Sequence, residues 1–387
     1  MAVIVQELAG GRHGDFFYPA ISGTAQSWNF YPVGPMAPGD GIAHIGLGLG
    51  RILEEGDAVL RFSPRFPAIL PQFSTVEDVL AGAQRHFYAL RVGGASDPPD
   101  LVRDAAVERR EIHDALEEFP VKRLVSTYLP EEHRIRDTAY APGPKLLTFA
   151  PVLKHGVFPL AGILADLLDL ARKGVGGPVE IEFAVHLAEG GRDTFHCLQL
   201  RPMAATEETQ DVAITPAEID AAFCYSTHAM GHGRNRRMAD ILLVKPEDFD
   251  PAATREIARE IGEVNAALAA EGRPYLLCGP GRWGSLDPWL GIPVGWREIS
   301  GVGAMIEMRD GRVNADPSYG SHFFQKITSR GIHYITLEPG TGDFLDIRRI
   351  QGESRTTETR FLRHLRLRQP FLLKNDGKQS RCVLLEA

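Results

Sequence analysis

Between Val179 and Met203 the chain alternates polar and apolar residues with period two, first in VEIEFAV and then in HCLQLRPM. A strand with one buried face reads this way, and Gly190-Gly191 between the runs is a favoured two-residue hairpin turn. With those glycines as the turn, Glu182 faces Gln199 and Glu180 faces Arg201. On the other surface Ile181 meets Leu200, Phe183 meets Leu198 and Val185 meets His196. One face is greasy; the other gathers two carboxylates, a carboxamide and a guanidinium.

Elsewhere the pattern predicts strands and turns up to about residue 70, with Ala2 to Gln6 as a short apolar strand. Helices follow. Ser74-Thr75-Val76-Glu77 reads as a capping box opening a helix that runs to Gly93-Gly94, and Asp97-Pro98-Pro99 starts another running to Phe119. Pro159 to Arg172 is a strongly apolar helix closed by Gly174. The polar segment Ala204 to Asp211 reads as a linker. Beyond it, Asp250 caps a helix with Pro251 in its first turn, Ile257, Ile261, Val264 and Leu268 inward, and Gly272 as its stop. A strand from Tyr275 to Cys278 leads into GPGRWGSLDPWLGIPVGW.

Composition narrows the class. The chain has 387 residues, room for two or three domains, and its formal charge of -8 argues against a general nucleic-acid binder. The C-terminal Arg348, Arg349, Arg355, Arg360, Arg363, Arg366 and Arg368 read instead as the wet face of a sheet, given the alternation in Phe361 to Leu367. Cys197, Cys224, Cys278 and Cys382 lie far apart without a CxxC, as expected of reduced thiols in a cytoplasmic protein. No apolar run reaches the roughly 18 residues that span a bilayer, so no membrane insertion is expected.

The polar hairpin face leaves two readings open. It is either a solvated sheet surface whose Glu-Arg pair contributes at most about 1 kcal/mol, or a site where carboxylates hold Mg2+ against phosphate oxygens and an arginine neutralises a transferred phosphoryl group. Two other motifs carry less. Gly279-Pro280-Gly281-Arg282-Trp283-Gly284 matches GxGxxG after a strand, yet Pro288 and Pro293 arrive too soon for the helix that a dinucleotide site requires, which predicts a tight structural loop. His228 and His232 stand four apart, but Gly231 and Gly233 disfavour a helical metal pair. Neither a P-loop nor a GxSxG elbow is present.

Taken in order, MAVIVQELAG, FFYPAISGTAQSWNFYPVGP, IGLGLGRILEEGDAVLRFSP and VEIEFAV with LQLRPM resemble the C-terminal half of the ATP-grasp nucleotide-binding domain of the phosphoenolpyruvate synthase and pyruvate phosphate dikinase family. The resemblance implies that Glu182 matches the family's metal-binding glutamate, with Glu180 as a second acidic ligand beside it. It further implies that Gln199 lies near metal and phosphates and Arg201 on the transferred phosphate. Three departures stand against it: the N-terminal lobe of the grasp and any GGxTSHAA-type phosphohistidine motif are missing, and Arg51 replaces the glutamate usual after GLG. GPGRWGSLDPWLGIPVGW and DPSYGSHFFQ look like an accessory segment of larger PEP/pyruvate-binding proteins.

The expected architecture is therefore α+β, a partial ATP-grasp region over 1-205 followed by an accessory α/β domain over 206-387. The expected function is an ATP- and Mg2+-dependent phosphotransferase whose acceptor is a small molecule or another chain. A second polypeptide supplying the missing lobe or a phosphohistidine domain is the implied partner. The alternative is a non-catalytic nucleotide-binding or regulatory module, a grasp remnant or one half of a split enzyme.

Overall fold

The computed structural model describes residues 7-55, 59-92, 106-203, 212-285, 287-309, 327, 330-351 and 354-386. The chain is a mixed α and β protein. It divides into two compact units, one of Met1–Asn29 with Pro35–Met203 and one of Phe30–Gly34 with Ala204–Ala387. The Ala2 to Gln6 strand, the helix start at Asp97, the linker Ala204 to Asp211 and the segment DPSYGSHFFQ lie outside the described residues.

The first unit centres on a five-stranded antiparallel sheet built from β1 (Ile21–Gln26), β2 (Ile42–Gly46), β3 (Leu60–Phe62), β4 (Val179–His186) and β5 (Thr194–Pro202), in the order β5-β4-β1-β2-β3. Its apolar face presents Ile181, Phe183, Val185, Ile21, Ala25, Ala43, Ile45, Leu60 and Phe62, all buried. Helix α1 (Leu160–Val175) buries Leu160, Leu164 and Leu168 in the same core. It ends on Gly176 at φ 77, two residues beyond the expected stop, because Gly176 rather than Gly174 adopts the left-handed cap.

One helix is shorter than the pattern predicts and another segment is a strand. Thr75, with Asp78 as its reciprocal partner, caps Val76–Gly82 only, and the chain then extends into the strand His86–Arg91. Phe87 and Ala89 bury themselves in the core from that strand, which alternation in HFYAL favours over a continued helix. Val107–Glu111, placed in a helix by sequence, is likewise a strand, held by pairing with His86–Arg91 and a cross-strand Arg91–Glu108 ion pair that the charged run VERRE does not announce.

The second unit carries a seven-stranded sheet of β6 (His228–Met230), β7 (Asp240–Val244), β8 (Tyr275–Pro280), β9 (Val302–Met308), β10 (His333–Leu337), β11 (Ser354–Glu358) and β12 (Leu362–Leu367), in the order β6-β10-β9-β8-β7-β12-β11. The central β7, β8, β9 and β10 are parallel, and the flanking strands pair antiparallel. Continuous apolar runs such as ILLV and YLLC suit parallel strands buried on both faces. Helix α2 (Thr254–Ala270) joins β7 to β8, buries Ile257, Ile261 and Leu268, and is preceded by the Asp250 cap, whose carboxylate accepts from the Ala252 amide at 2.9 Å. A second, five-stranded sheet that includes Cys224–Ser226, Leu372–Asp376 and Arg381–Leu385 shares a core with the first through Cys224, Leu373 and Leu384 against Ile241, Leu276, Ile306 and Ile335.

Candidate functional site

Strands β4 and β5 pair with Glu180 opposite Arg201, Ile181 opposite Leu200 and Glu182 opposite Gln199. Beyond that point the register departs from the simple hairpin. Phe183 pairs with Cys197 and Val185 with Phe195, so a bulge at Leu198 replaces the expected Phe183 to Leu198 and Val185 to His196 pairs. Packing explains the slip: it turns Phe195 onto the core face, where its ring stacks 5.3 Å from Phe183, and sends His196 to the polar side. The connection is also longer than Gly190-Gly191 alone, spanning residues 187-193 and tied by the Ala188 amide to Asp193 at 3.0 Å.

All four candidate side chains stand on one face. Arg201 Nε donates to Glu180 at 2.8 Å, and its Nη2 contacts the same carboxylate and lies 3.6 Å from Glu182. The other Glu180 oxygen accepts from Gln26 Nε2 at 2.6 Å. Glu180 is therefore engaged at both oxygens, with its side chain only 15% exposed, whereas Glu182 is 38% and Arg201 51% exposed. Glu182 is the more available carboxylate. The Glu180 carboxylate raises the Arg201 guanidinium above its usual value.

The hairpin is one end of a longer polar row. Through the register of β4, β1, β2 and β3, Gln199, Glu182, Thr24, His44 and Arg61 line up across all five strands, with Arg201, Glu180 and Gln26 in the next row. Loss of water and the nearby Arg61 push the His44 imidazole down to about 4, so it is neutral at pH 7, although Glu180 opposes the shift. Arg61 Nη2 donates to Asn29 Oδ1 at 2.9 Å. Thr24, Gln26, His44 and Arg61 escaped the sequence reading, although ISGTAQ carries the same period-two polar signal as VEIEFAV.

No family model matches the chain, and no curated protein matches its sequence. Among the described residues no three His, Cys, Asp or Glu side chains cluster closely enough to hold a metal by themselves, and no helix is long and apolar enough to cross a membrane.

The two other motifs take structural places. In GPGRWG, Gly281 and Gly284 adopt φ of 69 and 78, and a short strand at Arg282–Trp283, not a helix, follows. A Cβ at Gly279 would stand 2.6 Å from the buried Trp283 indole, which accounts for that glycine without a ligand. His228 lies on edge strand β6, 3.5 Å from Asp343, while His232 is buried beyond the turn at Gly231. The C-terminal arginines are largely paired: Arg363 with Glu358 and Glu247 at 2.7 and 3.0 Å, and Arg366 with Asp240 at 2.9 Å. Arg51 opens a short helix and places its guanidinium 4.9 Å from the centre of the Tyr88 ring.

Proposed function

We propose that the first unit is the metal-and-phosphate half of an ATP-grasp nucleotide site, and that the protein is an ATP- and Mg2+-dependent phosphotransferase of the PEP synthase type. The observation carrying this reading is the register that sets Glu180, Glu182, Gln199 and Arg201 on one face, with Arg201 bridging both carboxylates. Carboxylate and carboxamide oxygens are the hard donors that magnesium takes, so this donor set fits the metal. A bound Mg2+ would neutralise phosphate charge during transfer.

The Glu180–Arg201 pair then has a further meaning. Without nucleotide, the guanidinium and carboxylate satisfy one another. With nucleotide, Arg201 would turn to a phosphate, Glu182 and the Glu180 oxygen that Arg201 held would be left to hold the metal, and Gln199 would orient the phosphate oxygens. The half-exposed Arg201 and Gln199 favour a site closed by a second polypeptide. A non-catalytic nucleotide sensor remains the alternative, and turnover separates the two.

The test is a melting curve with ATP and Mg2+. A ligand at 100 times its dissociation constant stabilises the state it binds by about 2.7 kcal/mol. Wild type is expected to shift and Arg201→Ala is not. Absence of any wild-type shift would sink nucleotide binding by this chain, and a shift without release of AMP or phosphate would reduce it to a sensor.

A further inference from the structure

Several arginines of the second unit sit beside carboxylates. Those on β11 and β12 are mostly neutralised by named carboxylates. Arg234, Arg237 and Arg330 are different: all three are exposed, all three line one hollow of about 160 Å3, and among the described residues none forms an ion pair. Phe30, Tyr31, His232 and His333 complete its wall, and among the described residues no Asp or Glu lines it. In a chain whose formal net charge is -8, the hollow is a local concentration of positive charge that attracts an anion.

The wall is built rather than incidental. The Phe30 ring stacks on His232 at 5.1 Å with an interplanar angle of 10°. The Gly231 amide donates to the Phe30 carbonyl at 2.9 Å, which fixes that segment against the turn. His232 Nδ1 accepts from the Gly377 amide at 3.0 Å, so its proton is held on Nε2 and the ring is set as a donor. His333 is buried, lies 3.3 Å from Asn375 Nδ2, and is kept neutral by burial, with its imidazole pushed down to about 4. The ring is therefore a neutral hydrogen-bonding group at neutral pH.

We propose that this hollow is a binding site for a phosphoryl dianion, either free phosphate or the phosphate end of a small monoester. Three guanidiniums suit the three oxygens of a phosphoryl group, whose two charges leave one cation over, whereas a single carboxylate would leave two uncompensated. The volume is below the roughly 300 Å3 at which drug-sized ligand pockets begin, so the group enters alone or at the end of a small molecule. The site is independent of the hairpin face in the first unit.

The test is calorimetric titration of the full chain, in buffer without phosphate at constant ionic strength, with inorganic phosphate, glycerol 3-phosphate and citrate as separate titrants. Saturable binding of phosphate is expected, weakened at least tenfold in Arg234→Gln and in Arg237→Gln and lost in the combined variant with Arg330→Gln. Arg259→Gln, exposed on α2 and outside the hollow, is expected to keep the wild-type affinity within twofold. Tighter binding of glycerol 3-phosphate than phosphate assigns a monoester; the reverse assigns the free ion. The proposal is overturned by no saturable heat with either phosphate, by citrate binding more tightly than both, or by an unchanged affinity in the triple variant. It also fails if only Arg259→Gln weakens binding. All three arginines are exposed, so unchanged melting of the variants in phosphate-free buffer verifies their folding.

Discussion

At the scale of single residues, Glu307 on β9 ties stability to pH. Burial pushes its carboxyl up to about 7, against the opposing pull of the Tyr334 hydroxyl, the Trp283 amide, Arg282 and Arg309. The Trp283 amide donates to it at 2.9 Å. Between the ordinary value of 4.5 and about 7, the native chain keeps a proton that the unfolded chain has released. Stability accordingly falls as pH rises through that window and levels off above it. Glu307→Gln retains an acceptor for the Trp283 amide and removes the titration. Denaturant unfolding at pH 5 and pH 8 is expected to show wild type losing on the order of 2 to 3 kcal/mol more than the variant between the two. Equal losses would mean that Glu307 ionises without penalty. Nothing in the sequence marks this residue, since a glutamate in GAMIEM reads as one polar position on a strand; its burial follows only from parallel neighbours on both sides.

At the scale of elements, alternation carried the hairpin register as far as Glu182 and Gln199 because both faces there differ sharply in polarity. It failed at Leu198, where aromatic packing of Phe195 on Phe183 outweighs strict pairing, an energy that period counting does not contain. The polar row through Thr24, His44 and Arg61 was equally hidden, since it depends on which strands become neighbours. The GPGRWG loop was legible as a non-dinucleotide turn because its prolines forbid the helix. Its leading glycine yields a prediction. Gly279→Ala would drive a methyl to 2.6 Å from the Trp283 indole and 3.2 Å from Val244, in a core with no slack. A loss of about 1 to 3 kcal/mol is expected in urea unfolding, the usual range for overpacking. A loss below about 0.5 kcal/mol would show that the indole can move aside, within the spread ordinary for surface substitutions.

At the scale of the whole molecule, composition placed a break near residue 205, and the two units divide between Met203 and Ala204. The exception, Phe30–Gly34, belongs with the second unit although it lies inside the first in sequence. No composition shift announces it, because its place is decided by a ring stacked on His232, some two hundred residues later. Each unit holds its own apolar core, one around Ile181, Phe183 and Leu164, the other around Ile241, Leu276 and Ile306. Separate cores predict separate losses of cooperativity. Scanning calorimetry is expected to resolve two transitions. Leu164→Ala should lower one of them by the about 2 to 5 kcal/mol typical of a buried leucine, and Ile306→Ala should lower the other. Ligands provide the sharper version of the experiment, because each binds and stabilises only the unit that carries its site. ATP with Mg2+ should raise the transition that Leu164→Ala lowers, and inorganic phosphate the one that Ile306→Ala lowers. A single transition moved by both substitutions would mean that the two cores melt as one.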